Sequence, residues 1–98
     1  MNTAPQRALV AGESRLSFAA HVKFRRDETR GRWVVLAPER LLLPDDQAVE
    51  ILKLIDGARS VDQVVDDLAR RFEAPRAAIA ADVTTMLQDL VDKGVLTP

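Results

Sequence analysis

An alternating pattern up to residue 44, a helical pattern after it, and a length of 98 residues that suits one core together predict an α+β fold. Strands first and helices second, in so short a chain, predict a winged-helix-like arrangement: a three-stranded antiparallel sheet packed on a three-helix bundle. The composition, 47% hydrophobic and 30% charged with only 4% aromatic, is that of a globular domain whose core is aliphatic.

Residues 1–16 carry Pro5, Gly12, Glu13 and Ser14 among scattered alanines with no clean period. They read as a flexible N-terminal segment or linker, and the folded domain is expected over 17–98. From Phe18, Val22 and Phe24 alternate with Lys23 and Arg25, the period of a half-buried strand. The charged stretch Asp27 to Arg32 contains Gly31, suited to a left-handed turn, and Trp33-Val34-Val35-Leu36 follows as the second arm of a hairpin. Pro38 breaks that arm. Arg40-Leu41-Leu42-Leu43 is a third extended segment, stopped by Pro44. The second and third segments are apolar on both faces, so one face covers a core and the other meets further protein or a partner.

In the helical half, Asp45 or Asp46 caps a first helix burying Ala48, Ile51, Leu52 and Ile55, with Gly57 placed to end it. Ser60 and Gln63 match a capping box. The second helix then turns Val61, Val64, Val65, Leu68, Ala69 and Phe72 to one side. Pro75 suits the first turn of a third helix, whose apolar positions Ile79, Val83, Met86, Leu87, Leu90 and Val91 run to Gly94.

Several chemistries are poorly served. With no cysteine, thiolate zinc sites, iron-sulfur ligation and disulfides are out, and one histidine with scattered carboxylates offers no convergent metal set. A hydrolytic triad would need His21 with Ser14, Ser17 or Ser60, two of which lie in or next to the loose leader. The four glycines are too far apart to cradle a phosphate. No enzyme activity and no cofactor are expected. No apolar run reaches the ~20 residues of a membrane span, and a cytoplasmic location without membrane contact follows.

The net charge of −1 conceals six basic against three acidic residues over 21–44 and six against eleven over 45–98. A basic hairpin with Lys23, Arg25, Arg26, Arg30 and Arg32 keeps a winged-helix nucleic-acid-binding domain as the alternative function. The third helix speaks against it, because Arg76 and Lys93 are outnumbered there by Asp82, Asp89 and Asp92. Peptide binding is the remaining class. An apolar third strand at a sheet edge offers unpaired backbone groups, and an apolar helix beside it forms a second wall. Pattern alone leaves open whether Leu41 to Leu43 and the third helix form such a groove or are simply core.

The run Trp33-Val34-Val35-Leu36-Ala37-Pro38-Glu39-Arg40, followed by Ala48, Ile51-Leu52, Leu54, Asp56-Gly57, Ser60-Val61, Asp82-Val83, Leu87, Leu90 and Gly94-Val95-Leu96, resembles the PqqD family of pyrroloquinoline quinone (PQQ) biosynthesis. The likeness spans roughly residues 16–97. It implies a non-catalytic peptide chaperone, a recognition element for a ribosomally made and post-translationally modified peptide. Such proteins bind the leader of the precursor PqqA and present it to the radical S-adenosylmethionine enzyme PqqE, which links a glutamate to a tyrosine. The resemblance implies pairing of the leader with the backbone of Arg40, Leu41, Leu42 and Leu43, against a wall of Ile79, Val83, Met86, Leu87 and Leu90. It also implies fusion behind a PqqC-like domain as one arrangement, with residues 1–15 as linker.

Overall fold

The computed structural model describes residues 7–98; the first six residues of the expected leader lie outside it. Strands β1 (Ser17–Phe18), β2 (Lys23–Asp27), β3 (Arg32–Ala37) and β4 (Arg40–Leu42) precede helices α1 (Asp46–Leu52), α2 (Val61–Phe72) and α3 (Arg76–Asp92), and β5 (Leu96–Thr97) ends the chain. Antiparallel strands β2, β3 and β4 form one sheet in that order, with β4 at an edge. The predicted α+β architecture is therefore present. His21 stands exposed in the turn before β2 with φ +66°.

A second, two-stranded sheet was not visible in the sequence. Ser17 pairs with Thr97 and Phe18 with Leu96, which ties the two ends of the domain together. Val95 and Leu96 are buried there beside Leu16.

Alternation sorts the main sheet. Phe24, Val35 and Leu42 face the helices and join the core, whereas Val34 and Leu41 point to the opposite face. Phe18 stacks on Phe24 and Phe24 on Trp33, with centroids 5.7 and 4.8 Å apart, and Lys53 Nζ lies 5.2 Å above the indole. Three of the four aromatics thus form one stack at the sheet's inner side.

Local chemistry explains the helices. The Asp45 carboxylate accepts from the Ala48 N–H at 2.8 Å. The first helix is shorter than expected: it ends at Leu52, and Leu54 and Ile55 follow in tight turns by donating to Ile51 and Leu52. That turn still delivers Ile55 to the core, while Gly57, at φ +78°, serves the loop beyond it. At α2, the Ser60 hydroxyl accepts from the Gln63 N–H at 3.2 Å and the Gln63 side chain accepts from the Ser60 N–H at 2.8 Å, a complete capping box. Ser60→Ala removes one acceptor and is expected to cost about 1 kcal/mol, or roughly 4–8 °C in Tm for a domain of this size, checked by thermal unfolding. At the other end, Gly94 takes φ +76°, and the Gly94 and Val95 N–H groups donate to Val91 and Leu90, a Schellman closure that turns Val95 into the core.

Residues 7–16 of the expected leader run as a strap along α2 and α3. Gln88 accepts from the Val10 N–H at 2.9 Å and donates to the Ala8 carbonyl, Asp62 N–H donates to Gly12, Val61 N–H to Ser14, and Leu16 is buried. Composition misled here because the segment is held through its backbone, which carries no sequence period. Arg7 holds the strap's start to Asp92, with Nη2 to Oδ2 at 2.6 Å, and its hydrogen bond lowers the Asp92 carboxyl below the usual carboxylate range. A lowered carboxyl favours the docked strap above its undocked pKa, near 3.9, and loses that preference as pH falls through the lower docked value. Backbone relaxation of residues 7–12 is expected to be the same at pH 7 and pH 5 and to report loosening below about pH 4.

An open strand edge beside an apolar cleft

The sheet has two free edges of opposite character. The β2 edge carries exposed Lys23, Arg25 and Arg26, charges that discourage pairing. The β4 edge carries Leu41 and Leu43, 41% and 47% exposed. These are two of four large hydrophobics left in solvent among the described residues. An incoming strand is therefore discouraged at β2 and accommodated at β4.

The register decides which backbone groups are free. Pro38 and Glu39 form a two-residue turn, so the flanking pair Ala37–Arg40 closes the ladder, and the pairs Leu36–Leu41 and Val35–Leu42 follow. Hydrogen bonding alternates along an antiparallel pair. Arg40 and Leu42 thus turn their N–H and C=O groups toward β3, and Leu41 turns both toward the open edge. Of the four residues nominated for backbone pairing, Leu41 is placed for it within the strand; the Arg40 and Leu42 main chains are already engaged.

Beyond Leu43 and Pro44 the chain enters α1, and α1 opens onto a cleft of about 260 Å³. Gln47 and Ile51 of α1, Leu68 and Phe72 of α2, Ala74, and Ala78, Ile79, Asp82 and Val83 of α3 line it. The lining is mostly apolar, with the Gln47 amide and the Asp82 carboxylate as its polar groups.

The structure divides the nominated third-helix residues. Ile79 is half-buried and lines the cleft beside Val83, whose side chain is otherwise in the core; Met86 is half-buried against the core. Leu87 and Leu90, 0% and 7% exposed, are buried in the core and do not line the cleft. One helical stripe serves both purposes because its 3.6-residue period cannot mark where covering elements end.

Phe72 is a second correction. Expected on the buried face of α2, it is 54% exposed and borders both this cleft and a shallower hollow beside Trp33. It stands on the last turn of its helix, where Glu73 already leaves in a left-handed conformation, φ +49°. Sequence reasoning also missed Gln47, Ala78 and Asp82. Nothing in the local pattern separates these from ordinary helix-surface residues.

Charge is distributed just as unevenly. All six Lys and Arg side chains after residue 45 contact a carboxylate, from 2.6 Å for Lys93–Asp89 to 3.9 Å for Lys53–Glu50. Arg76, at the start of α3, bonds Asp66 at 2.7 Å and Asp62 at 3.4 Å, and these contacts raise its pKa. In the sheet region only Arg30 is paired, to Asp27 at 2.7 Å, and it lowers that carboxyl. Lys23, Arg25, Arg26, Arg32 and Arg40 have no carboxylate partner among the described residues. No three His, Cys, Asp or Glu side chains converge as a metal site among them either.

These features define a class: a small winged-helix-like α+β domain that leaves an apolar strand edge unpaired and opens an apolar cleft among its helices. The family model described as Coenzyme PQQ synthesis protein D (PqqD) matches residues 32–96. The PqqA binding protein of Rhodopseudomonas palustris (strain BisB5) is 60% identical over 88 residues, covering 90% of this chain and 86% of that protein. The bifunctional coenzyme PQQ synthesis protein C/D of Methylorubrum extorquens is 45% identical over 75 residues, 76% of this chain but 20% of that longer protein. The solution NMR structure of the PqqD truncation of Methylobacterium extorquens PqqCD, described as a functional and stand-alone recognition element for ribosomally synthesised and post-translationally modified peptides, superposes with a TM-score of 0.77 at 39% identity, covering 94% of this chain and 97% of that one. The chain belongs to the PqqD family.

Proposed function

We propose that this chain is a peptide chaperone of PQQ biosynthesis that binds the leader of the precursor PqqA as a strand added to β4 and presents it to the radical S-adenosylmethionine enzyme PqqE in the cytoplasm. The observation that carries the reading is the free, apolar β4 edge, which runs through Leu43 and Pro44 into α1, one of the three helices that line the cleft. Its relatives named PqqA binding protein support the choice of peptide. Main-chain pairing at Leu41 supplies affinity, and Ile79, Met86 and Phe72 supply an apolar surface for alternate side chains, backed by the buried Val83. The chain contributes no chemistry of its own; it raises the local concentration of the peptide at the enzyme by tethering. No described helix is long and apolar enough to cross a membrane. The bifunctional relative supports a fusion behind a PqqC-like domain as one arrangement of this domain, entering through the strap at residues 7–16.

Titration of the isotope-labelled chain with synthetic PqqA is expected to perturb Leu41, Leu43, Phe72, Ile79 and Asp82. Perturbations confined to Lys23–Arg32 would overturn the groove. A duplex DNA control at low salt is expected to show no binding, since both cations of α3 are neutralised by carboxylates; binding that falls steeply with salt would favour the nucleic-acid alternative.

A further inference from the structure

Arg40 is the one charged residue of the open edge strand, and its side chain is uncompensated. It is exposed, lies opposite the small Ala37, and has no carboxylate partner among the described residues, whereas every cation of the helical half has one. Alternation places its side chain on the same sheet face as Leu42 and Val35, the face that looks toward the helices. Because Leu41 alone turns its backbone outward within β4, an added strand would bond at Leu41, and the residues opposite Arg40 and Leu42 would stand in the closer, non-hydrogen-bonded positions. Directly opposed side chains there are about 4.5–5.5 Å apart at Cβ, within reach of an ion pair.

Resting on the peptide-binding reading above, we propose that Arg40 is a specificity-determining residue that pairs with an acidic side chain of the bound peptide and so sets its register. The order of the motif follows from antiparallel addition. A strand running against β4 meets Leu43, Leu42, Leu41 and then Arg40, in that sequence, from its N-terminus to its C-terminus. The peptide class is an extended segment in which three apolar residues are followed directly by Asp or Glu. The second of the three shares the helix-facing side with Leu42, and the first and third lie over Leu43 and Leu41 on the outer face. A slip by one residue would put the acid opposite Leu41 and an apolar side chain opposite Arg40, so the ion pair discriminates against it.

The test is a double-mutant cycle by calorimetry, using the full chain, synthetic PqqA and PqqA variants with each Asp or Glu changed singly to Asn or Gln. Arg40→Gln is expected to weaken PqqA binding roughly two- to fivefold while thermal unfolding is unchanged. One acid, directly after an apolar run, should show the same loss with wild-type chain and none with Arg40→Gln. Arg40→Glu should be rescued by Lys at that peptide position. Additive losses at every acid, or coupling to an acid that precedes the apolar run, would overturn the assignment while leaving strand addition at β4 in place. Failure of unmodified PqqA to bind the wild-type chain would instead remove the peptide reading, and this proposal with it.

Discussion

Leu41→Pro is expected to weaken PqqA binding at least about tenfold, equivalent to 1.4 kcal/mol, with little loss of fold. Proline removes the one N–H that β4 turns outward and sets its ring where an added strand must approach. Proline is tolerated in edge strands when the missing N–H would have faced solvent, so the β3–β4 ladder should survive. Leu42→Pro is the informative counterpart. Its N–H belongs to the pair with Val35, and its loss should unfold the edge of the sheet as well as abolish binding. Calorimetry with PqqA and thermal unfolding of both variants check the pair. A Leu41→Pro chain that binds normally would show that the peptide does not use this edge. The opposite stabilities, Leu42→Pro folded and Leu41→Pro unfolded, would show that the ladder alternates the other way.

Leu87→Ala is expected to be the most destabilising of the substitutions considered. The side chain is fully inaccessible within the cluster that joins α3 to Val64 and Val65 of α2 and to Leu96 of β5. Large-to-small changes at such sites cost about 2–5 kcal/mol, because lost transfer energy adds to an unfilled cavity. Domains of this kind have only about 5–15 kcal/mol in total. A fall in Tm on the order of 10–30 °C is expected, and peptide binding by the remaining folded fraction should be close to normal. Ile79→Ala is its contrast. Half-buried at the cleft, it should lose little stability and show its effect in PqqA affinity. A Leu87→Ala chain of unchanged Tm with impaired binding would return Leu87 to the groove wall.

The two pairs of variants follow the line between what was legible early and what was not. The caps at Asp45 and Ser60 and the left-handed Gly31 and Gly94 depend on neighbours within a few residues, so their chemistry is written in the order of the chain. The match of Trp33 to Leu96 with a known family pattern carried the functional reading further than any single residue did. By contrast, the β1–β5 pair joins residues about eighty positions apart, and the strap at residues 7–16 is held by backbone and amide groups on α2 and α3. Neither leaves a local period.

The sequence by itself determined the fold class, the helices with their caps, the apolar third strand and the scarcity of catalytic side chains, because propensity, capping and periodicity act over short separations. Only the tertiary structure decided which leucines are walls and which are core: Leu41 and Leu43 open to solvent, Leu42 turned inward, Leu87 and Leu90 enclosed, Phe72 uncovered. Periodicity tells which side chains share a face, but burial depends on where the covering elements stop. That is set by how β4, α1 and the two longer helices meet in space, and with it the place of the open edge, the cleft and the unpaired Arg40.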